Sequence, residues 1–89
     1  MPSQDITITN KLGLHARAAA KLTQMASRFS SDVFIAKGAK RVNAKSIMGV
    51  MMLAAGCGAV VKIDAVGTDA DRALADIQSL FDSKFGESE

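Results

Sequence analysis

Apolar residues in this chain repeat at two spacings, and the spacing changes from one segment to the next. In residues 5–9, Ile6 and Ile8 fall on one side and Asp5, Thr7 and Thr9 on the other, the period of two that marks a half-buried strand. Residues 59–66 repeat the pattern more clearly: Val61, Ile63 and Ala65 face one way, Lys62 and Asp64 the other. Between these segments Ala19, Leu22, Met25, Ala26 and Phe29 recur at the spacing of one helical face, and after them so do Ala73, Leu74, Ile77, Leu80, Phe81 and Phe85. A one-sided strand needs a cover and a one-sided helix needs a surface to lie on, so the two kinds of segment must pack against each other.

The remaining segments complete the frame. Residues 33–36 read as a strand with Val33 and Ile35 on one face, Gly38 marks a hairpin turn, and residues 40–43 form a short return strand with Val42 inward. The first helix is expected to run from His15 to about Arg28, with a polar break at Ser30, Ser31 and Asp32. Ser46 is a candidate N-cap for a short second helix, which Gly49 weakens and Gly56 and Gly58 end. Gly67 turns the chain, Thr68-Asp69-Ala70-Asp71 resembles a capping box with Asp in place of Glu, and Gly86 stops the last helix ahead of a frayed acidic tail. The order β-α-β-β-α-β-α predicts an α+β fold, an antiparallel four-stranded sheet with three helices on one face and solvent on the other. In such a fold the helix starts at His15 and Ser46 can lie near each other.

One domain spanning residues 1–89 accommodates all of this, without linker, repeat or low-complexity segment. With four Phe, no Trp and no Tyr, methionines, leucines and alanines are expected to fill the core. A net charge of +2 is too small to imply a polyanionic partner. The single cysteine, Cys57, cannot form an internal disulfide and fits a reducing, cytoplasmic setting. The N-terminus lacks the basic region and apolar run of a signal peptide, and the uncharged stretch 46–61 is too short and too glycine-rich to insert into a membrane. One His and one Cys far apart make no ligand set, so neither metal nor cofactor is expected.

His15 is the only histidine. The alanines that follow it, with Arg17 and Lys21 among them, favour a helix that begins at once and leaves His15 at or next to the N-cap. The first turn of a helix has unpaired N–H groups and the positive end of the macrodipole, a combination that binds phosphate. A neutral imidazole there offers a nucleophilic nitrogen, and Arg17 adds a cation whose fork matches phosphate oxygens. These residues suit a histidine that accepts and passes on a phosphoryl group; they suit a surface or capping histidine without chemistry equally well. In the second helix apolar residues lie on more than one side, so some of Ile47, Met48 and Met51 should be exposed. Methionines there would make an adaptable docking surface, although each of the three fits a core position as well.

Two runs carry a resemblance. Asn10-Lys11-Leu12-Gly13-Leu14-His15-Ala16-Arg17 resembles the active-site signature of the HPr family, the histidine-containing phosphocarriers of the bacterial phosphoenolpyruvate-dependent sugar phosphotransferase system. Lys45-Ser46-Ile47-Met48-Gly49-Val50-Met51 resembles that family's second signature, around a regulatory serine, and the likeness extends over nearly the whole chain. It implies an open-faced β-sandwich. It implies that His15 takes a phosphoryl group on ring Nδ1 from phosphorylated enzyme I and gives it to a IIA protein or domain, with no enzymatic activity of its own. Arg17 and the backbone N–H groups of Ala16, Arg17 and Ala18 would hold the phosphoryl group. Ser46 would be the target of an HPr kinase/phosphorylase where one exists, and Ile47, Met48 and Met51 would form the docking patch of a monomeric carrier. One departure is visible: the family usually has proline where this chain has Ala18, which leaves a nitrogen-related branch open beside the sugar pathway.

Two other readings use the same residues. A regulatory binder controlled through Ser46 would need neither His15 nor Arg17. A nucleic-acid-binding module would use Lys37, Lys40, Arg41 and Lys45, but the chain has no aromatic stacking platform.

Overall fold

The alternating segments pair into one sheet. In the computed structural model, which describes residues 2–86, the elements run β1 (Ser3–Thr7), α1 (Ala16–Ala26), β2 (Asp32–Lys37), β3 (Lys40–Asn43), α2 (Ile47–Met52), β4 (Val60–Val66) and α3 (Ala70–Asp82), closed by a 3-10 turn, Lys84–Gly86. The strand order is β1-β4-β2-β3, and every neighbouring pair is antiparallel. Register follows the apolar period: Ile6 faces Val61, Ile35 faces both Ile63 and Val42, and Val33 faces Ala65. This row is buried apart from half-buried Val42. Leu22 of α1 and Ile77 of α3 are fully buried beneath the sheet, each removal from water stabilising by about 1.5–3 kcal/mol. Helix α3 lies across β4, β1 and β2, α1 packs on α2 and α3, and α2 packs on β3. The fold is the expected α+β arrangement.

Several local expectations are corrected. β1 pairs two residues earlier than residues 5–9; Ile8 is buried beyond the strand, its N–H donating to the Ala59 carbonyl at 2.9 Å and its carbonyl accepting from the Gly58 N–H at 2.8 Å. The methionines among the described residues do not fill the core. Met25 packs at its edge and Met48, Met51 and Met52 are exposed, while Ala18, Ala19, Ala26 and Ala73 are fully buried and let the helices approach closely. Asp64 does not face water with Lys62: it is 5% exposed, because Arg41 reaches across the sheet to bond both of its carboxylate oxygens and stacks 3.8 Å from the centroid of the Phe34 ring. That hydrogen bond raises the Arg41 guanidinium above its ordinary value.

The capping box does not form. Asp69 occupies the N-cap of α3 without a cap bond, and its carboxylate instead accepts the N–H groups of Ser30 and Ser31, both at 2.9 Å, and the Ser31 hydroxyl. The Ser31 hydroxyl first, and then the Ser30 N–H, lower the Asp69 carboxyl from 3.8 to about 2. Helix α1 ends at Ala26 rather than Arg28, and α3 ends before Gly86. Phe85 lies in the left-handed turn beyond α3, still buried, with its ring edge-on to Phe81 at 4.8 Å. The acidic tail lies outside the described residues. Neither Gly56 nor Gly58 ends α2: Ala54 does, with a left-handed φ of 51°.

Candidate functional site

The chain reaches His15 through a turn set by two residues. Asn10 is buried; its side-chain amide donates to the Gly13 carbonyl at 2.8 Å, and its own carbonyl accepts the Gly13 N–H at 3.1 Å. Gly13 has φ +64°, and a Cβ on it would stand 2.6 Å from both the Ala55 carbonyl oxygen and the Gly56 Cα. Glycine is needed there for its backbone angle and for the close approach alike. The Leu14 N–H then donates to the Ala55 carbonyl at 2.9 Å.

His15 takes the N-cap of α1, with extended backbone (φ −72°, ψ 178°), and its carbonyl accepts the first helical bond from the Ala19 N–H at 2.8 Å. Ala16, Arg17 and Ala18 are therefore the first three helical residues, and their N–H groups precede the first helical bond. The imidazole is half-buried and makes no cap bond to this turn. Ala16 and Arg17 are exposed, whereas Ala18 is fully buried. The first turn holds no acidic residue to offset the positive end of the helix, and Arg17 adds a cation to that turn.

Ser46 is the N-cap of α2, and its Oγ accepts the Gly49 N–H at 3.1 Å. Ile47, Met48 and Met51 are all exposed. The sequence did not single out exposed Met52 on the same helix, nor Leu12, 66% exposed, in the turn before His15. The His15 loop rests on Ala55, beyond the C-terminal end of α2, while Ser46 opens the other end, and a six-residue helix spans roughly 9 Å.

The four cations of the nucleic-acid reading are engaged within the fold. Lys37 Nζ donates to the carbonyls of Leu53 at 3.5 Å and Ala54 at 3.3 Å, and Lys40 Nζ to that of Met52 at 3.3 Å, offsetting the negative end of α2. Lys45 Nζ donates to the Phe29 carbonyl at 3.0 Å, and Arg41 holds Asp64. Cys57 is exposed, with Sγ 3.9 Å from the Thr9 carbonyl oxygen. Among the described residues no group of three His, Cys, Asp or Glu is placed to hold a metal ion, and no helix is long and apolar enough to cross a membrane.

A family model described as "PTS HPr component phosphorylation site" matches residues 2–83. The chain belongs to the HPr family. It is 52% identical to phosphocarrier protein HPr of Cupriavidus necator over 89 residues, covering all of both chains. It is also 46% identical over 85 residues to phosphocarrier protein NPr of Shewanella violacea, covering 96% of this chain and 93% of that one. The solved structure of HPr-C-His from Thermoanaerobacter tengcongensis superposes with a TM-score of 0.96 at 49% identity over the full length of both chains. An HPr dimer from the same organism gives 0.79 at 50% identity, covering 98% of this chain and all of that one. The open-faced β-sandwich is thus an HPr fold, and this is a phosphocarrier-family protein of the phosphotransferase system.

Proposed function

We propose that His15 accepts a phosphoryl group from phosphorylated enzyme I and passes it to a IIA protein or domain, the chain being a carrier and not a stand-alone enzyme. The observation that supports this most is the placement of His15 at the N-cap of α1, on a braced loop, with Arg17 two residues on. In the first step a bond forms between the His15 ring Nδ1 and phosphorus as the bond to the donor breaks; in the second the acceptor nitrogen displaces His15. The N–H groups of Ala16, Arg17 and Ala18 and the Arg17 guanidinium face the charge on the transferring oxygens, where preorganised donors stabilise it most.

Exposed Ile47, Met48 and Met51 serve as the docking patch for successive partners, and unbranched methionines adapt to more than one of them. Phosphorylation at Ser46 by an HPr kinase/phosphorylase would put a dianion at the edge of that patch, where a docking partner has to desolvate it. The carrier acts as a cytoplasmic monomer in this reading, which sedimentation velocity tests against the dimer seen in a relative. The likeness to a protein named NPr favours keeping a second reading: the same carrier step feeding acceptors outside sugar transport, as in a nitrogen-related branch.

Incubation with enzyme I and phosphoenolpyruvate, followed by mass measurement before and after brief acid treatment, tests the carrier step. One phosphoryl group, stable in base and lost in acid, is expected on the protein and none on His15→Ala. An acid-stable adduct, or undiminished acceptance by His15→Ala, would refute it.

A further inference from the structure

We infer that Asn10 is a positioning residue for phosphoryl transfer at His15; this rests on the carrier reading above. Asn10 is 1% exposed although its neighbours Thr9 and Lys11 are exposed, and burial of an amide is costly unless its hydrogen bonds are made. Asn10 bonds one residue twice: its side-chain amide donates to the Gly13 carbonyl and its backbone carbonyl accepts the Gly13 N–H, closing a turn of four residues from both sides. That turn holds Gly13 at its left-handed φ, with its α-carbon against Ala55 and Gly56. Gly13 in turn delivers the Leu14 N–H to the Ala55 carbonyl, one residue before His15.

His15 is thereby braced from its N-terminal side by Asn10 and from its C-terminal side by α1. Nothing in this chain of contacts involves the exposed patch on α2 or the Arg17 side chain. Loss of the Asn10 amide leaves the docking residues in place and frees the backbone that aims the imidazole. A displacement of a reacting group by about 1 Å costs on the order of 100-fold in rate. The signature of Asn10 is therefore a fall in kcat without a rise in KM.

The test uses the full chain as the substrate of enzyme I, with phosphoenolpyruvate as donor, and compares wild type, Asn10→Ala and Asn10→Ser. Asn10→Ala removes the donor; Asn10→Ser keeps a short one. The expected result is a KM within about twofold of wild type for both, a kcat lowered on the order of 10- to 100-fold for Asn10→Ala, and partial recovery in Asn10→Ser. A wild-type kcat in Asn10→Ala, a KM that rises in step with the fall in kcat, or an Asn10→Ser no better than Asn10→Ala would overturn the inference. Should Asn10→Ala fail to fold, Asn10→Ser decides: lowered kcat at unchanged KM upholds the role, and wild-type kinetics overturn it. If the wild-type chain itself accepts nothing from enzyme I, the carrier reading has failed instead.

Discussion

Replacing Ala54 by glycine is expected to make the protein more stable. Ala54 lies just beyond α2 with φ 51°, in the left-handed region where an L side chain crowds its own backbone. That conformation costs a non-glycine residue about 1–2 kcal/mol, which glycine avoids. Glycine also loosens the unfolded chain, which returns about 0.4–1 kcal/mol of the gain. Ala54 is exposed, so removing its methyl leaves no cavity and adds no further cost. The balance is a stabilisation of about 0.5–1 kcal/mol, which raises the melting temperature of a domain of this size by about 2–8 °C. Calorimetry and urea unfolding on both proteins measure it, with an unchanged denaturant slope as the sign that only stability has moved. An equal or lower melting temperature for Ala54→Gly would refute the reasoning, since it would mean that residue 54 is not held in a left-handed conformation.

Three further outcomes are expected. Ser46→Asp keeps the N-cap of α2, changes stability by no more than about 1 kcal/mol, and weakens binding to enzyme I; an unchanged titration against enzyme I excludes Ser46 as a switch. Ala18→Pro removes an N–H that precedes the first helical bond and stiffens the unfolded chain, raising stability by about 0.4–1 kcal/mol in denaturant melts, with a smaller gain in the phosphorylated form. A loss larger than about 1 kcal/mol would show that the Ala18 N–H is bonded or that α1 starts earlier. The Asp69 carboxyl titrates at about 2 in the fold against an ordinary value of 3.8, so its support for the Ser30–Ser31 loop is complete above about pH 4 and is lost as pH falls through about 2. The melting temperatures of wild type and Asp69→Asn should therefore converge across that window, and a constant gap would remove Asp69 from the acid response.

Positions whose environment is local were legible in the sequence. His15 and Ser46 at the two N-caps, and Val61, Ile63 and Ala65 on the inner face, follow from neighbours within a turn or a strand. What escaped depends on partners distant in sequence. Asp64 reads as an outward residue until Arg41, 23 positions away, is brought across the sheet to meet it. Asp69 reads as a helix cap, but its carboxylate is taken by Ser30 and Ser31, 39 and 38 residues earlier. Glycines at 56 and 58 drew the end of α2 too far along, because composition does not reveal that Ala54 accepts a strained angle where two lysines grip the helix end. Asn10 carried a local signal of its own: asparagine side chains bond backbone a few residues ahead, and Gly13 stands three positions on.

The brace of the His15 loop also orders events during synthesis. Its N-terminal flank is bonded to residues 58 and 59 through Ile8, and its tip to residue 55 through Leu14, so both anchors lie about forty positions or more downstream of the histidine they support. Closing so long a segment has an entropic cost that local helix formation in α1 cannot offset. A nascent chain that has exposed only its first half to the solvent carries His15 in sequence and lacks the geometry around it. The brace around His15 is completed only once residues 55–59 are free to fold, and an unfinished chain holds the histidine without it.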